Sequence, residues 1–220
     1  MSKIVWLSLA VCLLLGACVE TRFESPLGEA MNDCDPRWKG LWLAEDKDSQ
    51  ADDGTRALTG INVDEACAVD LFEQDDADGS LKRTRIPLHF VRAAGKDHVV
   101  VTDSALASIG DIPAPHDLDP VPSESYFFLR YRLRGDRLEL RHVDSVKAAK
   151  LVLDGKLDGN VRKTRNELHV YVRGSPSQLL EAVRRYTLFE SDASIVFKRS
   201  AQSMQEFERA VQQNNDVEAR

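Results

Sequence analysis

The stretch from Tyr126 to Val143 restricts the fold more than any other, because two apolar segments flank the dipeptide Gly135-Asp136. Glycine at the first position of a two-residue turn adopts the positive φ that a tight β-hairpin requires. In that register Leu133 lies opposite Leu138, which gives the hairpin one apolar side. The sequence therefore predicts antiparallel β-structure here.

Alternating apolar residues predict further strands, and two later segments carry helix signals. The predicted strands cover residues 38–43, 66–73, 81–92, 98–102, 168–172 and 194–198. Asp144 or Ser145 can cap a helix that ends at Leu153, and the capping box at residues 175–178 opens a second helix. We expect an α+β fold, with a mainly antiparallel, curved β-sheet or a small β-barrel and two short helices late in the chain.

The N-terminal segment predicts export. Lys3 precedes an apolar stretch from Ile4 to Leu15, which as a helix would measure roughly 18 Å and is too short for a ~30 Å hydrocarbon core. A positive start, a short apolar region and small residues at its end are typical of a secretory signal peptide. We assign residues 1–17 to it.

Leu15-Gly16-Ala17-Cys18 resembles the lipobox of bacterial lipoproteins. The resemblance implies that Cys18 carries the lipid (diacylglyceryl and palmitate chains) and becomes the mature N-terminus. Because Val19 rather than aspartate follows, it further implies the outer membrane of a Gram-negative bacterium, with the protein anchored at the periplasmic face. The alternative is an ordinary signal peptide with Cys18 beside the cleavage site.

The remaining cysteines predict a disulfide bond. Of the four cysteines, Cys12 belongs to the signal peptide and Cys18 to the lipobox, which leaves Cys34 and Cys67. Disulfides persist in the oxidising periplasm, and a loop of this length would stabilise the fold by roughly 3.5 kcal/mol. Two separate buried thiols are the alternative.

Composition along the chain predicts one domain. Residues 18–37 are expected to form the lipidated N-terminus and a tether, residues 38–199 a single globular domain, and residues 200–220 a polar C-terminal tail. The net charge of −7 argues against binding to nucleic acid, which requires a basic face.

Gly40-Leu41-Trp42 resembles the Gly-x-Trp motif that opens lipocalins. The resemblance covers about ten residues and implies a barrel that holds a small apolar ligand. The helix predicted between the last two strands departs from the lipocalin order. An ordinary core tryptophan is the alternative.

The predicted hairpin also has an arginine face, formed by Arg130, Arg134, Arg137 and Arg141. Like charges directly opposite one another are destabilising, so these side chains should meet either carboxylates of the same chain or an anionic partner.

No sequence pattern selects a reaction. The five histidines are scattered without zinc-ligand spacing, and no nucleophile elbow or phosphate-binding loop occurs, so we predict neither a metal nor a cofactor. The expected function is non-catalytic: a binding or structural module that contacts an envelope protein or a cell-wall component. The alternatives are a lipocalin-like carrier and an immunity-type inhibitor of a periplasmic toxin. An enzyme stays open, since catalytic residues can assemble from distant positions.

Overall fold

The structure is a computed structural model that describes residues 19–45, 59–75, 79–107, 109, 118 and 120–218. The strands are β1 (Val19–Phe23), β2 (Gly40–Ala44), β3 (Thr59–Val63), β4 (Val69–Gln74), β5 (Leu81–Ile86), β6 (His89–Ala93), β7 (Lys96–Thr102), β8 (Tyr126–Arg134), β9 (Arg137–Arg141), β10 (Gly159–Lys163), β11 (Leu168–Val172) and β12 (Ile195–Arg199). The helices are α1 (Asp103–Leu106), α2 (Ser145–Leu153), α3 (Pro176–Arg185) and α4 (Met204–Glu218). None of these helices is long and apolar enough to span a membrane.

The described chain divides into two compact units. Unit 1 comprises the described residues up to Cys34, Leu88–Arg132 and Leu140–Ser194. Unit 2 comprises Asp35–Pro87, Leu133–Glu139 and the residues from Ile195 onward. The chain passes between the units several times, so no single composition change marks a boundary.

In unit 1 the strands follow the order β10-β11-β1-β8-β7-β6. The β1–β11 pair is parallel, and the other pairs are antiparallel, so the sheet is mixed. Phe23 stacks on Phe128 with 4.0 Å between ring centroids. These rings share one buried cluster with residues of α2 and α3, such as Ala148 and Leu179. The core of unit 1 therefore depends on β1.

Strand β1 lies within residues 18–37, the segment expected to be a tether. Val19 to Phe23 pair residue by residue with β11, and Phe23 and Leu27 are fully buried. The strand escaped prediction because Glu20 and Arg22 interrupt its apolar pattern; in the fold these two side chains form an ion pair.

In unit 2 the strands follow the order β12-β2-β3-β4-β5, and all neighbouring pairs are antiparallel. The α4 helix packs on this sheet through Met204, Phe207 and Val211, which join Leu41 and Phe72 in one buried cluster. Most of the segment expected as a polar tail, residues 200–220, thus belongs to α4. Three apolar positions spaced along one helix face are enough to bury it.

The α+β class is confirmed, and the finer expectations are refined. The described residues contain four helices rather than two, and the order of their strands does not close into a barrel. The hairpin formed by β8 and β9 is present, with Gly135 at φ +60°. Both helices predicted by their capping signals are also present, and the box at Ser175 and Gln178 forms both of its hydrogen bonds.

Candidate functional site

The site with the strongest sequence signal, Cys18, lies outside the described residues. Val19, the next residue, is the first residue of β1 and lies opposite Leu168 in the parallel pair. No structured spacer therefore separates the predicted lipid attachment point from unit 1.

A cleft of about 220 Å³ opens in unit 1 beside this first strand. We call it the N-terminal cleft; its lining includes Val19, Glu20, Thr21, Phe127, His142, Asp144, Ser145, Val146 and Glu190. It combines exposed valine side chains with polar groups, a lining suited to contact with another molecule rather than to enclosing an apolar one.

Three polar groups of the N-terminal cleft are held by hydrogen bonds. The hydroxyl of Thr21 donates to the buried hydroxyl of Ser145 at 2.8 Å. Asp144 caps α2 by accepting from the backbone N–H of Lys147 at 3.0 Å. Burial alone would raise the pKa of Asp144, but its hydrogen bonds and ion pair with Lys147 lower it. Asp144 is thus held as a carboxylate that stabilises the helix start.

One wall of the cleft continues into a charged cluster between β1 and β11. Glu20 accepts from Arg22 at 3.0 Å, and its second oxygen lies 3.0 Å from Nδ1 of His169. Arg22 is 2% exposed and its guanidinium lies over the ring of Phe127, 5.2 Å from the centroid. This cluster neutralises the charges that β1 carries into the sheet. Sequence reasoning missed it because its members lie about 150 positions apart.

A carboxyl pair lies near α1. Ser125 donates to Asp103 at 2.7 Å, while Ser104 donates to Glu124 through its hydroxyl and its N–H at 3.0 and 3.1 Å. The hydrogen bond between the two carboxyl groups raises the pKa of Glu124. Burial would raise the pKa of Asp103, but hydrogen bonds from Glu124 and Ser125 outweigh it and the pKa falls. The pair therefore holds a proton more readily than separate carboxylates would.

A buried histidine, His98, lies in β7 against the ring of Phe189, with 5.2 Å between centroids. Burial of the imidazole, reinforced by the positive charge of Arg130, lowers the pKa of His98 from 6.5 to about 4. His98 is therefore a neutral core residue at physiological pH.

Three of the four arginines in the predicted anion-binding face have partners within the chain. Arg130 donates to the carbonyl of Glu190 at 3.3 Å, and Arg141 to that of Ser191 at 3.2 Å. Arg137 forms an ion pair with Glu45 at 2.6 Å. Arg134 is exposed beside the β8–β9 turn. Arg137 thus meets a carboxylate of the same chain, whereas Arg130 and Arg141 bond to backbone carbonyls.

The predicted Cys34–Cys67 disulfide bond is confirmed. Cys67 lies in the β3–β4 connection, where it adopts φ +65° and its N–H donates to the carbonyl of Asp64 at 3.0 Å.

The Gly-x-Trp segment forms a compact arrangement in unit 2. Trp42 is fully buried, and its indole N–H donates to the carbonyl of Trp38 at 2.6 Å. Gly40 has φ +108°, and a Cβ there would meet the guanidinium of Arg199 at 3.1 Å, so glycine is required. Sequence reasoning missed Arg199, since only the fold brings β12 beside β2.

Among the described residues, no group of three or more His, Cys, Asp or Glu side chains is arranged to hold a metal ion. A second cleft of unit 1, about 240 Å³, is lined by apolar residues such as Leu157 and by charged residues of both signs: Lys156, Asp158, Arg173, Glu181 and Arg185. Comparisons with protein-family models, with curated proteins and with solved structures find no match to this chain.

Proposed function

We propose that this protein is a lipid-anchored envelope module, held at the periplasmic face of the outer membrane through Cys18, which contacts an envelope protein or a cell-wall component without catalysing a reaction. The observation that carries the proposal is the lipobox Leu15–Cys18, followed at once by a strand of the folded unit.

The Cys34–Cys67 disulfide supports an oxidising compartment, because such bonds are rare in proteins kept among cytosolic reductants. The N-terminal cleft supports a binding role. Thr21, Ser145 and Asp144 are held there by hydrogen bonds, so a partner can dock without an ordering cost for these three side chains.

Lipidation is tested by mass spectrometry of the mature N-terminal peptide in the wild type and in Cys18→Ala. We expect an acylated cysteine at position 18 in the wild type, and neither processing at that site nor acylation in the variant. Cys12→Ala is the matched control, since it removes a cysteine from the same segment and should leave acylation intact. An unmodified Cys18 in the wild type contradicts the proposal.

The choice between the inner and the outer membrane is tested separately by Val19→Asp. In the bacterial lipoproteins whose lipobox this segment resembles, an aspartate after the cysteine commonly keeps the protein in the inner membrane. We therefore expect the wild type in the outer-membrane fraction of a density gradient and the variant in the inner-membrane fraction. Val19→Asn, of similar size and uncharged, should fractionate as the wild type; a wild type in the inner membrane contradicts the outer-membrane placement.

A further inference from the structure

If Cys18 carries the lipid as proposed above, the start of β1 determines which end of the sheet of unit 1 lies nearest the membrane. Consecutive Cα atoms are about 3.8 Å apart, so the acylated residue lies within one peptide unit of Val19. Val19 is already paired with Leu168 in the sheet. The end of the sheet at which β1 begins therefore lies at the level of the lipid headgroups.

The same end of the sheet carries the turn between β10 and β11. Leu168, opposite Val19 in the parallel pair, is also opposite Lys163 in the antiparallel pair. Neighbouring strands are about 4.8 Å apart, which places the backbone of Lys163 roughly 10 Å from that of Val19. Residues 164–167 continue beyond this row, toward the side where Cys18 joins the chain.

This turn is basic and held in shape. We call residues 162–167 the basic tip: Arg162, Lys163 and Arg165 are exposed, and Glu167 is its one carboxylate. The hydroxyl of Thr164 accepts from the N–H of Glu167 at 3.2 Å, and the N–H of Thr164 donates to the carbonyl of Glu167 at 3.0 Å. In a chain with a net charge of −7, three cations are thus concentrated beside the proposed anchor.

Exposed apolar side chains accompany the basic tip. Val19 is 44% exposed and Val146, on the first turn of α2, is 67% exposed; both line the N-terminal cleft. Basic residues with a few apolar side chains are the combination that favours the interface of an anionic bilayer.

We propose that the basic tip, with Val19 and Val146, seats unit 1 directly on the anionic phospholipid headgroups of the membrane that holds the lipid. The lipid supplies the attachment, and the tip sets the orientation of unit 1 by placing cations against phosphate groups. The N-terminal cleft then opens close to the bilayer surface. A domain attached through the lipid alone would have no preferred orientation relative to the bilayer.

The test uses the mature protein, which is processed and acylated in cells. The purified protein is inserted into phosphatidylcholine vesicles that contain phosphatidylglycerol. A membrane-impermeant amine acetylating reagent is applied to vesicles and to detergent micelles, and the modified lysines are quantified by mass spectrometry. Lys163 is the probe. Lys156 is the matched control, because it precedes β10 at the opposite end, where Gly159 lies opposite Val172.

We expect Lys163 to be modified about threefold or more slowly in vesicles than in micelles, with Lys156 unchanged. Arg162→Glu with Arg165→Glu should abolish the protection of Lys163. Arg173→Glu with Arg185→Glu, the same charge change around the cleft that contains Lys156, should leave it intact. Raising the salt to about 0.5 M should also weaken the protection, since the Debye length falls to about 4 Å.

The outcomes separate the two proposals. A Cys18 without acyl groups overturns the proposed function and the docking with it. Acylated protein whose Lys163 reacts equally fast in vesicles and in micelles overturns only the docking. Protection that survives the double glutamate variant also contradicts the assignment to the basic tip.

Discussion

The guanidinium of Arg199 lies over the ring of Trp42, with its Cζ 4.1 Å from the ring centroid. The same side chain donates to the carbonyl of Arg37 at 2.7 Å and to that of Lys39. Arg199 thereby connects β12 to the turn that precedes β2. Cation–π stacking and hydrogen bonds from a charged group are each worth about 1–2 kcal/mol.

Replacing this arginine should cost unit 2 stability. We expect Arg199→Ala to lower the free energy of unfolding by about 2–3 kcal/mol, and Arg199→Lys to recover less than half of the loss, because an ammonium group cannot stack and bond in two directions. Urea titration followed by tryptophan fluorescence measures both. Lys198→Ala, at the exposed neighbouring position, should stay within about 0.5 kcal/mol of the wild type. A fully stable Arg199→Lys would refute the stacking role.

The buried histidine predicts a loss of stability in acid. His98 has a folded-state pKa of about 4 against 6.5 when unfolded, so below pH 6.5 only the unfolded chain binds the proton readily. Its contribution should therefore be complete above pH 6.5 and decline toward pH 4, by about 3 kcal/mol in total.

His98→Leu should flatten that part of the stability profile, measured by urea titration at intervals between pH 7 and pH 4. His89→Leu, a change at a half-buried histidine of the adjacent strand β6, should keep the decline. Profiles of equal slope for wild type and His98→Leu would show that the decline comes from other groups.

The raised pKa of Glu124, in the carboxyl pair near α1, predicts the opposite pH dependence for that group. Because the folded pKa of Glu124 is raised, its contribution is present below the unfolded pKa and is lost as the pH rises through the folded value. An amide at this position can bond to Asp103 without taking up a proton.

Glu124→Gln should therefore raise the melting temperature at pH 7.5 and have less effect at pH 4.5. Asp103→Leu serves as the control and should lower it at neutral pH, since leucine offers no oxygen to accept from Ser125. A Glu124→Gln protein that is less stable at pH 7.5 contradicts the shared-proton arrangement.

The disulfide should contribute substantially to stability. Cys34→Ser with Cys67→Ser is expected to lower the free energy of unfolding by about 3 kcal/mol, chiefly because the unfolded chain regains its freedom. Dithiothreitol should destabilise the wild type by a similar amount and leave the double variant unchanged. A thiol assay on the denatured, unreduced wild type that finds both cysteines free would contradict the bond.

Helix α4 contributes to the core of unit 2, so shortening one of its buried side chains should destabilise this unit. Phe207 is 6% exposed and its ring lies 5.6 Å from that of Phe72. Phe207→Ala should lower the free energy of unfolding by about 3 kcal/mol through the cavity it leaves. Gln205→Ala, two residues earlier and exposed, should be nearly neutral in the same denaturation experiment.

Features specified by neighbouring residues could be predicted from the sequence. Gly135 determines the β8–β9 turn, and the box at Ser175 and Gln178 determines the start of α3; both are local hydrogen-bonding arrangements. The Cys34–Cys67 pair followed from a count of cysteines. These predictions required no knowledge of which strands are neighbours.

Features specified by distant residues escaped prediction. The charged residues of β1 look like a linker until Arg22 is known to form an ion pair with Glu20 and His169 to lie within hydrogen-bond distance of it. Strand β10 has one apolar residue, Val161, since it pairs on one side only. Arg199 resembles any other arginine at a strand end until the fold places Trp42 beneath it.

The long separation between Glu20 and His169, 149 positions, has a consequence for the order of assembly. During synthesis β1 emerges early but has no β11 partner until three quarters of the chain exists. Until then Phe23 and Leu27 lack much of their native core, and nascent unit 1 exposes apolar surface. High contact order of this kind slows folding and lengthens exposure to aggregation. Unit 1 therefore completes its fold late in biogenesis. The yield of native protein should depend on how well the exposed apolar surface of the incomplete chain is protected from aggregation.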